Sequence, residues 1–94
     1  MPKTITTRSI GTTGSTVRVP LGSEMLSIKL VDWKEVHVYF LIDKGEERSQ
    51  TLDFKTFYTD RDIPDDVASS YNYSGSVGSG RTEKHIFSKI ISTD

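Results

Sequence analysis

The sequence predicts a small all-β or β-rich domain: one antiparallel sheet of five to seven strands, arranged as a meander, a rolled sheet or a small barrel. Three observations lead there. The chain carries 12 Ser and 11 Thr, a density of hydroxyl and β-branched residues that suits strands and turns. Apolar and polar residues alternate over several short runs separated by Gly, Pro and Asp. No 3.6-residue apolar period of useful length occurs, and there is no internal repeat.

The elements follow in order. Residues 4–10 are polar and Thr-rich, an edge strand or a frayed end within the first 15 residues. Gly11 to Gly14 reads as a turn. Residues 16–19 alternate and stop at Pro20, which has no N–H to give a ladder. Residues 24–31 form the first strong strand, with Leu26, Ile28 and Leu30 on one face. Asp32, Trp33 and Lys34 interrupt it as a turn. Residues 35–43 return as its antiparallel partner, with Val36, Val38, Phe40 and Ile42 sharing a face and His37, Tyr39 and Leu41 opposite. After a charged turn, residues 48–57 give a third strand that buries Leu52 and Phe54.

Residues 58–66 change character. Five charged residues gather around Pro64, which predicts a surface loop or a single helical turn. Residues 69–77 alternate again, with Tyr71 and Tyr73 on one side. Gly78, Ser79 and Gly80 make a turn. Residues 82–91 form the last strand, with Ile86 and Ile90 on one face and His85 and Phe87 on the other. The core expected from this pattern is Leu26, Ile28, Leu30, Val38, Phe40 and Phe54, in a single domain over residues 1–94 with its body at 16–91.

Composition removes several function classes. Without cysteine there is no disulfide frame, thiolate zinc site or Cys nucleophile. A net charge of −1 and a pI near 6.1 exclude a strongly basic nucleic-acid coat, and no nucleic-acid partner is expected. No apolar run is long enough for a signal peptide or a membrane span, so the expected location is the cytoplasm, with no membrane partner.

The segment from Val17 through Pro20, Leu21, Gly22, Ser23, Glu24, Met25 and Leu26 to Ile28 resembles the opening of a family of short tailed-phage proteins of unknown function. That family places a P-x-G-A-x-I/L-L-S-V segment before a hairpin ending in Val-Asp, matched here by Leu41, Ile42 and Asp43. Residues 57–66 are similar to its Thr-Gly-His segment followed by Pro and acidic residues. Tyr73 to Val77 resembles its Y-x-G-T-V pattern, and His85 to Phe87 its W-H-V-F pattern. Here Asp60 and Arg61 stand where that family has Gly and His. The resemblance covers residues 17–87 and implies a phage origin and a β-rich fold, but no activity.

Four groups of residues invite a functional reading. Gly78, Ser79 and Gly80 form either a plain hairpin turn or a nest of backbone N–H groups for an anion, with Arg81 and Lys84 close behind. Their spacing is neither a dinucleotide fingerprint nor a P-loop. Tyr71, Tyr73 and Trp33 are candidates to stack a base or to pack in a core or subunit contact. Asp60, Asp62, Asp65 and Asp66 read as a solvated acidic loop, without the Gly and terminal Glu of an EF-hand. His37 and His85, on separate strands, make no metal set.

These readings predict a non-enzymatic phage protein that needs no cofactor and sequesters a host ligand. The concrete form is a counter-defence sponge for a nucleotide immune signal. Gly78, Ser79, Gly80, Arg81 and Lys84 would hold phosphate, and Tyr71, Tyr73 or Trp33 would stack the base. The alternative is an inhibitor or adaptor acting on a host protein through Trp33 and the acidic loop. The third is a virion or assembly component. A homo-oligomer is expected, because the strand at 35–43 is apolar on both faces.

Overall fold

The computed structural model describes residues 2–32 and 34–94. Its seven strands lie in two antiparallel sheets that do not close into a barrel. Three strands, β1 (Lys3–Ser9), β3 (Glu24–Val31) and β4 (Glu35–Asp43), form one sheet with β4 in the middle. The second sheet has β2 (Thr16–Pro20) and β6 (Asn72–Val77) at its edges and the long strands β5 (Ser49–Tyr58) and β7 (Lys84–Thr93) between them. A short helix, α1 (Asp65–Ser70), joins β5 to β6, and one 3-10 turn at Gly80–Thr82 joins β6 to β7.

The antiparallel hairpin of β3 and β4 is as expected, and β1 is an edge strand paired along its whole length with β4. The chain then passes to the second sheet. Gly14 is required at that crossing. It sits at φ 104, and a Cβ there would lie 2.2 Å from the carbonyl oxygen of Phe54. The close approach lets the Ser15 carbonyl accept from the Phe54 N–H at 2.9 Å and starts the β2–β5 ladder.

The two sheets face each other across one core. Val36, Val38 and Phe40 of β4 enter it from the first sheet. Val17 and Val19 of β2, Leu52 and Phe54 of β5, Val77 of β6 and Ile86 of β7 enter from the second. Ile10, fully buried beyond the end of β1, completes it, so the N-terminal segment is part of the body of the domain. Phe40, Phe54 and Val38 were expected there from the alternation.

Leu26 was also expected there, and it is 43% exposed. The cause is a register shift between Met25 and Ser27, a bulge that turns Leu26 out of the inward phase. Met25 takes its place beside Ile28 and Leu30, all three partly buried against the core. A second correction concerns residues 69–70. The sequence assigned them to a strand, but they complete α1. Pro64 pre-sets the entry, and its carbonyl accepts from the N–H groups of Val67 and Ala68 at 3.0 Å. Asp65 and Asp66 occupy the electropositive first turn, and Val67 is buried. One apolar anchor is enough to dock so short a helix.

Candidate functional site

Alternation along β7 divides its side chains between two environments. Lys84, Ile86 and Ser88 point into the core, and His85, Phe87 and Lys89 point to the outer face of the four-stranded sheet. The β5 register puts Phe57 opposite His85 and Lys55 opposite Phe87, and β6 puts Tyr73 opposite Phe87. Three strands therefore bring aromatic rings together on a face that the core does not use.

The rings meet edge to face. Phe57 and Phe87 have centroids 5.9 Å apart at 77°, and Tyr73 and Phe87 lie 5.4 Å apart at 76°. His85 joins the cluster through both ring nitrogens. Its Nε2 is 2.8 Å from Thr59 Oγ1 and its Nδ1 is 2.9 Å from Tyr73 Oη. Either neutral tautomer is satisfied, because each hydroxyl donates or accepts as needed. The imidazole thus fixes the tilt of Tyr73, a residue that remains 57% exposed. Together with Arg61 and Ile63, these side chains line a groove of about 260 Å³.

A second opening, of about 480 Å³, adjoins the groove and shares residues 58–61 with it. Arg61 borders both, and Arg81 and Thr82 close the far side. The shared segment is a tight turn in which the Arg61 N–H donates to the Tyr58 carbonyl at 3.2 Å. Asp60 holds φ 69 within it, a conformation that glycine adopts without strain.

Of the residues singled out in the sequence, Asp60, Tyr73, Arg81 and His85 line these adjoining cavities. Gly78 and Ser79 do not join them. They line a third cavity with Lys84, on the inward side of Tyr58. Gly80 opens the 3-10 turn that carries Arg81. Lys84 turns away from Arg81, and its ammonium donates to the carbonyls of Thr12 and Lys34. Trp33 lies outside the described residues.

Tyr71 sits on the same outer face but outside the groove. Its hydroxyl donates to Asp53 at 2.5 Å, while Lys55 and Lys89 stand 6.0 and 5.6 Å from its ring centre. The hydrogen bond to Asp53 holds the phenol above its ordinary range, with burial and the charges of Asp53 and Asp66 adding in the same direction.

Sequence reasoning missed Phe57, Arg61, Ile63 and Phe87 as site residues. The signal was present in the outward phase of the alternation. Phe57, Tyr73 and Phe87 are large apolar residues on strand positions opposite the core-facing ones. Among the described residues, no three His, Asp or Glu side chains come together to hold a metal ion, and no helix is long and apolar enough to cross a membrane.

A family model described as a domain of unknown function (DUF7352) matches residues 1–93. No curated protein and no solved structure matches the chain.

Proposed function

We propose a binding role for this chain, which belongs to the family of the domain of unknown function DUF7352. In this reading the protein is a non-enzymatic module that captures a nucleotide in the host cell, and the phage-like motifs make a sequestered immune signal the concrete case. One observation carries it. An aromatic groove bounded by Tyr73 and Phe87 runs directly into an opening flanked by Arg61 and Arg81. A base needs an exposed ring to stack on, and a phosphate needs planar donor forks. The two are side by side here.

The assignment of roles differs in part from the sequence reading. Tyr73 and Phe87 stack the base, and Arg61 joins Arg81 on the phosphates. Tyr71 supports the sheet through Asp53 instead of touching the ligand. Self-association belongs to the same proposal. Ile5, 61% exposed, pairs with Leu41 on the outer side of the three-stranded sheet, and sedimentation at micromolar concentration should show more than a monomer.

A thermal-shift and calorimetry screen against mononucleotides and cyclic dinucleotides tests the reading, since a ligand that binds only the native state raises the midpoint. Arg81→Ala should leave the unliganded midpoint unchanged and weaken binding roughly tenfold to a hundredfold, the worth of one charge-assisted contact. Failure of every nucleotide to shift the wild-type protein overturns it.

A further inference from the structure

Lys84 is buried, 8% exposed, at the start of β7. Its Nζ donates to the Thr12 carbonyl at 3.2 Å and to the Lys34 carbonyl at 3.3 Å, and stands 5.6 Å from the centre of the Tyr58 ring. Among the described residues no carboxylate pairs with it. Its neighbour Glu83 is engaged elsewhere, accepting from the Ser76 hydroxyl at 2.7 Å. An ammonium offers three N–H donors, and the two carbonyls use two of them. Carbonyl dipoles offset part of the cost of burying a charge, but they supply no counter-charge.

The same amine lines a cavity of about 350 Å³. Leu30, Tyr58 and Val77 form its apolar walls, and Gly78, Ser79 and Thr82 form a polar rim. At ~30 Å³ per molecule of liquid water, the space is several times larger than an isolated hydration site. A roomy, half-apolar chamber with one cation on its wall, lacking a carboxylate partner, has the space and the polarity for a small amphiphilic anion.

We propose that this cavity is a second ligand site, distinct from the aromatic groove, and that it takes a small monocarboxylic acid with a short aliphatic body. The carboxylate takes the third Lys84 donor and supplies the missing charge. The aliphatic part lies against Leu30, Val77 and the Tyr58 ring. A single fixed positive charge matches a monoanion. A phosphate dianion calls for more donors than one ammonium offers, and the apolar walls would gain nothing from it.

Thermal shift and calorimetry with hexanoate, 1-hexanol and inorganic phosphate at matched ionic strength test this directly. Hexanoate should raise the midpoint saturably, and the alcohol and phosphate should not. Lys84→Met should weaken hexanoate binding at least roughly tenfold. That substitution also removes the tie to Thr12 and Lys34, so Leu30→Asp, which puts a carboxylate on the apolar wall of the chamber and leaves Lys84 in place, serves as the second variant. The added carboxylate repels the ligand's own and competes for the Lys84 ammonium, so the variant should lose the hexanoate shift and leave any nucleotide binding in the groove untouched. The proposal is overturned by no hexanoate response in the wild-type protein, by a phosphate response of equal size, or by a hexanoate shift of undiminished size in a folded Leu30→Asp.

Discussion

The two faces of the four-stranded sheet are built from the same strands, one residue out of phase, and they spend their aromatic residues differently. On the inner face Phe54 is 1% exposed and packs among aliphatic side chains, with Ile86 fully buried nearby. On the outer face Phe57, Tyr73 and Phe87 pack on one another and on His85, with a Thr and a Tyr hydroxyl holding the imidazole. The inner face gains from burial alone. The outer cluster is held by geometry as well as area, and it leaves Tyr73 half in solvent. Rings that are positioned but not covered are what a stacking site needs, and a core would have covered them.

The sharpest way to break the comparison is to remove one ring from each region. Phe40, 1% exposed, faces the inner side of the second sheet from β4. Phe40→Ala should cost about 3–5 kcal/mol by denaturant unfolding, enough to unfold a marginal small domain. Phe87→Ala should cost less than half as much, because its ring is only partly buried and its edge contacts are worth about 0.5–1.5 kcal/mol beyond area. In calorimetry the order reverses. Phe87→Ala should weaken nucleotide binding roughly tenfold, given about 1–3 kcal/mol for stacking one base. Equal stability losses for the two variants would mean that the outer cluster is a second core and not a site.

How much of this was legible in the sequence follows from where local pattern decides the structure. The alternation in β4 and β5 placed Val38, Phe40, Leu52 and Phe54 correctly, because regular pairing keeps the phase. Leu26 failed because a bulge changes the phase within one residue and leaves no mark in the apolar pattern. Ile10 was invisible because its burial depends on the chain crossing between sheets at Gly14, a tertiary event. Arg81 and Tyr73 were found as chemically suggestive residues. Their meeting place was not, because it is made by Thr59 and Arg61, which come from the turn beyond β5. The sequence pattern puts Lys84 among the phosphate ligands. Its strand phase already placed it opposite His85, and that phase sends it inward.

A smaller effect separates the support of the outer face from its groove. Tyr71→Phe removes the bond to Asp53 without touching Tyr73 or Phe87. The folded protein holds the Tyr71 phenol above its ordinary value, so the native state keeps a proton that the unfolded chain releases. The stabilisation is fully present below the unfolded value of about 10 and is lost as pH rises through the folded value. Wild-type stability should therefore fall as pH rises above about 10, and the Tyr71→Phe curve should fall less steeply there. Nucleotide affinity at neutral pH should stay unchanged in this variant. A marked loss of affinity would place Tyr71 in the site after all.

The smallest effect is expected at Asp60, and it bears on both stability and charge. Its φ of 69 lies in the left-handed region, which costs an L-residue up to about 1–2 kcal/mol and an Asp less than most. Glycine removes that strain but frees the unfolded backbone, at about 0.5–1 kcal/mol. The two nearly cancel, so Asp60→Gly should move the midpoint by no more than about 0–1 kcal/mol in stability, toward the stable side. The change in charge does not cancel. Asp60 lines the opening between Arg61 and Arg81, where its carboxylate opposes any phosphate that enters. Exposed charge pairs are worth about 0.2–1 kcal/mol, so the variant should bind a nucleotide more tightly by a factor of roughly 1.4 to 5, with the gain shrinking as salt is raised. Unchanged affinity at low salt would place the phosphates away from this opening, and the aromatic groove would then have to hold its ligand without Arg61 and Arg81.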